Sequence, residues 1–107
     1  MKLLAAYVRP ERAADVVRAL YTAGVHGLTA YGVHGMSGEA STALHGIQPF
    51  EPANLPETVK IEVICEDDAT DAVLRTIAEA AKTGYPGDGL IMVQNVEKMR
   101  RIRELPH

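Results

Sequence analysis

Two short stretches carry residue types that can hold an anion. Thr83–Val93 reads TGYPGDGLIMV, with three glycines and a proline between Gly84 and Gly89. With few side chains to obstruct it, such a run can present backbone N–H groups to a phosphate. It can equally be the tight turn that starts a strand. The second stretch, Met99–Glu104, reads MRRIRE. On an extended chain Arg101 and Arg103 project to the same side, and guanidinium groups grip phosphate oxygens through paired donors. A solvated basic tail is the plain alternative for these arginines. A third glycine-bearing corner, HGMSG at His34–Gly38, completes a candidate phosphate pocket in a chain of net charge −3.

Other chemistries find less support. His26, His34, His45 and His107 are scattered, with no pair at helical ligand spacing, so no metal site is expected. Cys65 shares a strand face with Val59, Ile61 and Val63 and reads as a packed core thiol. Glu66, Asp67 and Asp68 precede a helix, where caps and helix-dipole partners account for them. Neither a nucleophile elbow nor a lysine-bearing phosphate loop is present. No reaction is suggested, and the chain is expected not to be an enzyme. The slight acidity argues against general nucleic-acid or membrane-surface binding. The single cysteine suits a reducing cytoplasm.

The elements that must position these residues follow from length and periodicity. The 107 residues, 47% hydrophobic, make one globular domain over 1–107. Lys2–Val8 reads as a strand ended by Arg9-Pro10. Glu11–Ala23 carries a helical stripe of Ala13, Val16, Val17, Leu20 and Ala23, closed by Gly24. Leu28–His34 reads as a strand, and Val59–Glu66 alternates as one. A second helix follows Asp67-Asp68 with Ala69, Ala72, Val73, Ile77 and Ala80 as its stripe, stopping at Gly84. Leu90–Val96 is a last strand, and Met99–Glu104 alternates weakly within a C-terminal segment, 97–107. The order is βαββαβ, an α+β ferredoxin-like arrangement: an antiparallel four-stranded sheet with both helices on one face. Ser37–Thr58 has no sustained period and is too long for an ordinary connection, which marks it as functional or as a two-strand insertion.

Over nearly its whole length the chain resembles the PII signal-transduction proteins, the nitrogen-regulatory family. The resemblance lies in RPERAADVVRALYTAGVHGLTAYGVHGM, LPETVKIEV, TGYPGDGLIMV and VEKMRRIRE. It implies a homotrimer with adenine nucleotides in clefts between subunits, and it makes 37–58 the T-loop, a mobile arm that docks on a partner transporter or enzyme. By the same resemblance Thr29 and Ile64 meet the adenine, Gly35, Met36 and Ser37 line the nucleotide, and Glu62 lies near the ribose. Gly87, Asp88, Gly89 and Leu90 surround the phosphates. Arg101 and Arg103 neutralise them, partly across the subunit boundary.

Departures from the family pattern narrow the ligand. Leu90 stands where members that bind ATP well have a lysine, and Gly38 stands in place of an arginine. Thr58 replaces the lysine that pairs with 2-oxoglutarate, and Glu39 the glutamine that touches magnesium and 2-oxoglutarate. The loop tyrosine that is modified in typical members is missing, Phe50 being the nearby aromatic. These changes imply ADP or AMP in preference to ATP, with magnesium unassigned. They also imply an effector other than 2-oxoglutarate, for which Gly38, Glu39 and Thr58 are the candidate contacts and bicarbonate a candidate by analogy with divergent members. A conventional regulator sensing ATP and 2-oxoglutarate is the alternative.

Overall fold

Alternation along one strand sets the layering. In the computed structural model, which describes residues 1–36 and 51–106, β3 spans Glu57–Cys65. Its residues Val59, Ile61, Val63 and Cys65 all contribute to the core, Ile61 and Val63 fully buried. This is the face expected from the period of two. β1 (Lys2–Val8) offers Leu4, Ala6 and Val8 to the same layer. β2 (Leu28–His34) pairs with β3, and β4 (Gly89–Asn95) pairs with β1. All pairings are antiparallel and the order is β2-β3-β1-β4, so the ferredoxin-like sheet is present as expected.

The two helices cover the inner face. α1 (Pro10–Thr22) begins with proline, whose missing N–H costs nothing at a helix start. It buries Val16 and Leu20, with Ala13 and Val17 partly buried; Ala23 ends the helix exposed. Its end is a glycine-closed cap: Val25 N–H bonds the Leu20 carbonyl at 2.9 Å and Gly24, at φ +95°, bonds Tyr21 at 3.0 Å. α2 (Thr70–Ala81) keeps the expected stripe at Val73, Ile77 and Ala80 and differs from it at Ala72. It buries Thr70, Val73, Ile77 and Ala81, with Leu74 and Ala80 partly buried, whereas Ala72 is exposed. The helix starts after a 3-10 turn at Asp67–Ala69. Each fully buried Leu, Ile or Val contributes about 1.5–3 kcal/mol against exposure, so this cluster fixes how the helices sit on the sheet.

Three further expectations are corrected. Asp67 does not cap α2; it accepts the N-terminal ammonium at 2.5 Å, and Ala69 occupies the cap position without a side-chain bond. β3 starts at Glu57 because its ladder with β2 runs on through Val33↔Thr58 and His34↔Glu57. Met99–Glu104 is not extended throughout, since Ile102–Glu104 form a 3-10 turn. Among the described residues of the 37–58 segment, Pro52–Asn54 form another 3-10 turn. Ser37, Gly38, Glu39, His45, Phe50 and His107 lie outside the described residues, as does any assignment made for them.

Among the described residues, nothing covers the opposite face of the sheet. Tyr31, Ile64, Leu90 and Met92 are each 40–47% exposed there. Lys60 lies among them, 3.7 Å from Glu62 and over the rings of Tyr7 and Tyr31 at 5.4 and 5.7 Å. Tyr31 first and Tyr7 second hold its ammonium above the usual lysine pKa.

Gly89 admits no side chain. Its φ is +112°, and an added Cβ would meet the Tyr7 carbonyl oxygen at 1.8 Å. Gly84 is also left-handed, at +92°, but faces open space. Gly89→Ala should therefore cost about 3 kcal/mol or more, from strain plus overpacking. Gly84→Ala should cost about 1–2 kcal/mol from strain alone. Urea denaturation of the two variants checks this; equal losses would contradict it.

Candidate nucleotide-binding site

The candidate residues fall into two patches on one chain. Thr29, Glu62, Ile64 and Arg101 line one groove of about 790 Å³, at the sheet end bounded by the last turn of α1 and the first turns of α2. Thr29 and Glu62 are cross-strand partners, and Ile64 follows on the same face. The groove floor and walls are largely apolar, with Leu20, Val25, Leu28 and Val73. A flat aromatic base fits such a lining, with Thr29 and Glu62 offering hydrogen bonds and Arg101 a positive charge at the rim.

The second patch lies at the other end of the sheet. Gly89, Val8, Val59 and Gly32 form one row across the four strands. Gly87, Asp88, Gly89 and Leu90 stand at the β4 end of that row. Gly35, Met36 and Thr58 stand near its β2–β3 end. Gly35 N–H bonds the Pro56 carbonyl at 2.9 Å, and the Thr58 hydroxyl donates to the Val8 carbonyl at 2.7 Å. Thr29 is three residues along β2 from Gly32, about 10 Å, and β4 lies three strand spacings from β2, about 14 Å. Within one chain, therefore, the glycine loop and the groove do not meet. Arg103 sits in the exposed 3-10 turn past Arg101 and does not line the groove, so the two arginines do not share one extended edge.

The glycine loop is shaped by Asp88. Its carboxylate accepts the Thr83 N–H at 2.8 Å, the Gly84 N–H at 3.2 Å and the Thr83 hydroxyl. Tyr85 N–H bonds the Thr83 hydroxyl oxygen at 3.2 Å. The amides of Thr83, Gly84 and Tyr85 are thus spent inside the loop, and Asp88 turns its charge inward rather than toward a ligand. Of the stretch read as a row of amides, its first half serves the turn itself. Arg9 was overlooked in the sequence: its Nε donates to Asp88 at 3.1 Å and its Nη2 to the Pro86 carbonyl at 2.8 Å. A contact spanning 79 residues leaves no local pattern from which to find it. Among the described residues, no group of three His, Cys, Asp or Glu could hold a metal.

The bonds from Thr83 first, and from Arg9 and Gly84 after them, hold the Asp88 carboxyl well below its ordinary pKa of 3.8. Because the folded value is depressed, its stabilising effect is complete above the unfolded pKa and lost as pH falls through the folded one. The stability gap between the parent and Asp88→Asn should be widest near neutrality and narrow from about pH 5 downward. Urea midpoints measured across that range check this, and a gap independent of pH would contradict it.

The chain is similar to known proteins over nearly its whole length. The profile of the family described as nitrogen regulatory protein P-II matches residues 1–105. Nitrogen regulatory protein P-II 2 of Methanothermobacter thermautotrophicus is 38% identical over 104 residues, covering 96% of this chain and 90% of that protein. Nitrogen regulatory protein P-II of Mesorhizobium japonicum is 38% identical over 104 residues, covering 96% and 92%. Nitrogen regulatory protein GlnK of Escherichia coli K12 is 36% identical over the same length, covering 96% and 92%. With a matching fold and matches over nearly the full length, the chain belongs to the nitrogen regulatory P-II family of signal-transduction regulators.

Proposed function

We propose that this P-II regulator binds an adenine nucleotide between copies of itself, with ADP or AMP favoured over ATP. The observation that carries the reading is the division of the candidate residues. One chain presents a groove with Thr29, Glu62, Ile64 and Arg101, and presents Gly87–Leu90, Gly35 and Met36 elsewhere. A second copy laid against the open sheet face brings one chain's groove beside the other's glycine loop. The exposed Tyr31, Ile64, Leu90 and Met92 support such packing, because their burial stabilises an assembly. The assembly is a homotrimer.

The nucleotide preference rests on missing cations. Leu90 cannot donate a hydrogen bond, and Gly38 carries no charge. Thr58 is neutral and its hydroxyl is engaged with Val8. Each charge-assisted bond contributes roughly 1.5–3 kcal/mol, so losing two weakens hold on a terminal phosphate about a hundredfold or more. Arg101 and Arg103 serve the shorter phosphate chain. With no lysine at position 58, a dicarboxylate lacks its counter-ion, and a smaller anion such as bicarbonate is the proposed effector. The 37–58 segment, which leads from β2 to β3 in sequence, then reports the ligand to a cytoplasmic transporter or enzyme partner. Among the described residues no helix is long and apolar enough to cross a membrane.

Light scattering at micromolar protein should give the trimer mass, and a monomer mass would remove the basis for a shared site. Calorimetric titration should rank ADP or AMP ahead of ATP, with 2-oxoglutarate leaving ATP affinity unchanged. ATP binding tightest, and tighter still with 2-oxoglutarate, would instead establish the conventional nitrogen-sensing alternative.

A further inference from the structure

We infer that Arg9 is a positioning residue of the nucleotide site, holding the glycine loop in shape and cancelling the charge of Asp88 beside the phosphates. The inference rests on the nucleotide reading above. Arg9 directly follows Val8, the last residue of β1, and Val8 is the cross-strand partner of Gly89. The strand therefore delivers the guanidinium to the loop, where it spans Asp88 and the Pro86 carbonyl. These contacts reach two points of the turn on either side of Gly87, so the cation fixes the path of the backbone between them.

The charge balance gives Arg9 a second effect. Asp88 stands between the two glycines read as the phosphate cradle, and a bare carboxylate there opposes every phosphate brought near it. The amides of Thr83 and Gly84 stabilise that carboxylate but leave its net charge in place. Arg9 removes the charge. Leu90, the next residue after the cradle, supplies no cation of its own, which makes the compensation at Asp88 more consequential here. Arg9–Asp88 is a half-buried ion pair, with side chains 29% and 24% exposed, and solvent at its edge keeps its contribution to fold stability small. Its removal is therefore expected to register in ligand binding before it registers in folding.

Calorimetric titration of the parent, Arg9→Gln and Arg9→Lys with ADP, AMP and adenosine tests this, with thermal unfolding run alongside. Arg9→Gln should weaken ADP by about tenfold, the scale of one uncompensated carboxylate close to the phosphates. AMP should lose less and adenosine almost nothing, while the unfolding temperature stays near that of the parent. Arg9→Lys should recover part of the ADP affinity by restoring the charge. ADP binding unchanged in Arg9→Gln, or an equal loss for adenosine, would overturn the inference. A parent protein that binds none of the three would overturn the nucleotide reading itself, and the inference with it.

Discussion

The pairing of β1 with both of its neighbours is the constraint on which the other features depend. β1 lies between β3 and β4, and its register aligns Val8 with Val59 on one side and with Gly89 on the other. That row brings the Tyr7 carbonyl so close to position 89 that only a hydrogen fits there. It also places Arg9 against the loop before β4. A slip of one residue would turn Leu4, Ala6 and Val8 out of the core and carry Gly89 away from Tyr7. Helix packing and loop geometry are thus set by one ladder.

The same register explains why the candidate site is divided. Groove residues sit at the end of the sheet where α1 finishes and α2 begins, and the glycine loop sits at the opposite end and opposite edge. A single chain that buried its helices on one face had no geometry left for joining them. The open face carries Ile64 and Leu90 at its two extremes, one beside each patch. In the proposed assembly, another copy covering that face would join the patches and remove the exposed apolar surface in one step, giving assembly and ligand binding a common cause.

Much of the fold was legible in the sequence because the signals were periodic. The alternation in β3, the stripe on α1 from Ala13 to Leu20 and the left-handed Gly24 each follow from local rules, and each is found where the rules place it. On α2 the stripe is met at Val73, Ile77 and Ala80, while tertiary packing also buries Thr70 and Ala81 and leaves Ala72 exposed. Asp67 looked like a cap in one dimension, but its partner is the ammonium of Met1. For the candidate site, the residue types were legible in the sequence but their arrangement was not. Thr29, Glu62, Ile64 and Arg101 converge, whereas Asp88 turned out to organise its own loop and Arg9 gave no sign of its role. Such contacts depend on a register spanning most of the chain.

The claim that the site is completed between copies has a direct test in subunit mixing. Arg101→Ala removes the groove's cation, and Leu90→Glu places a carboxylate beside the glycine loop. Each variant alone should lose ADP binding. Dissociated and reassembled together, they should regain a fraction of the parent's sites, because some contacts then pair an intact groove with an intact loop. A mixture as inactive as either variant, once exchange of subunits is verified, would show that each site lies within one chain and would contradict the account.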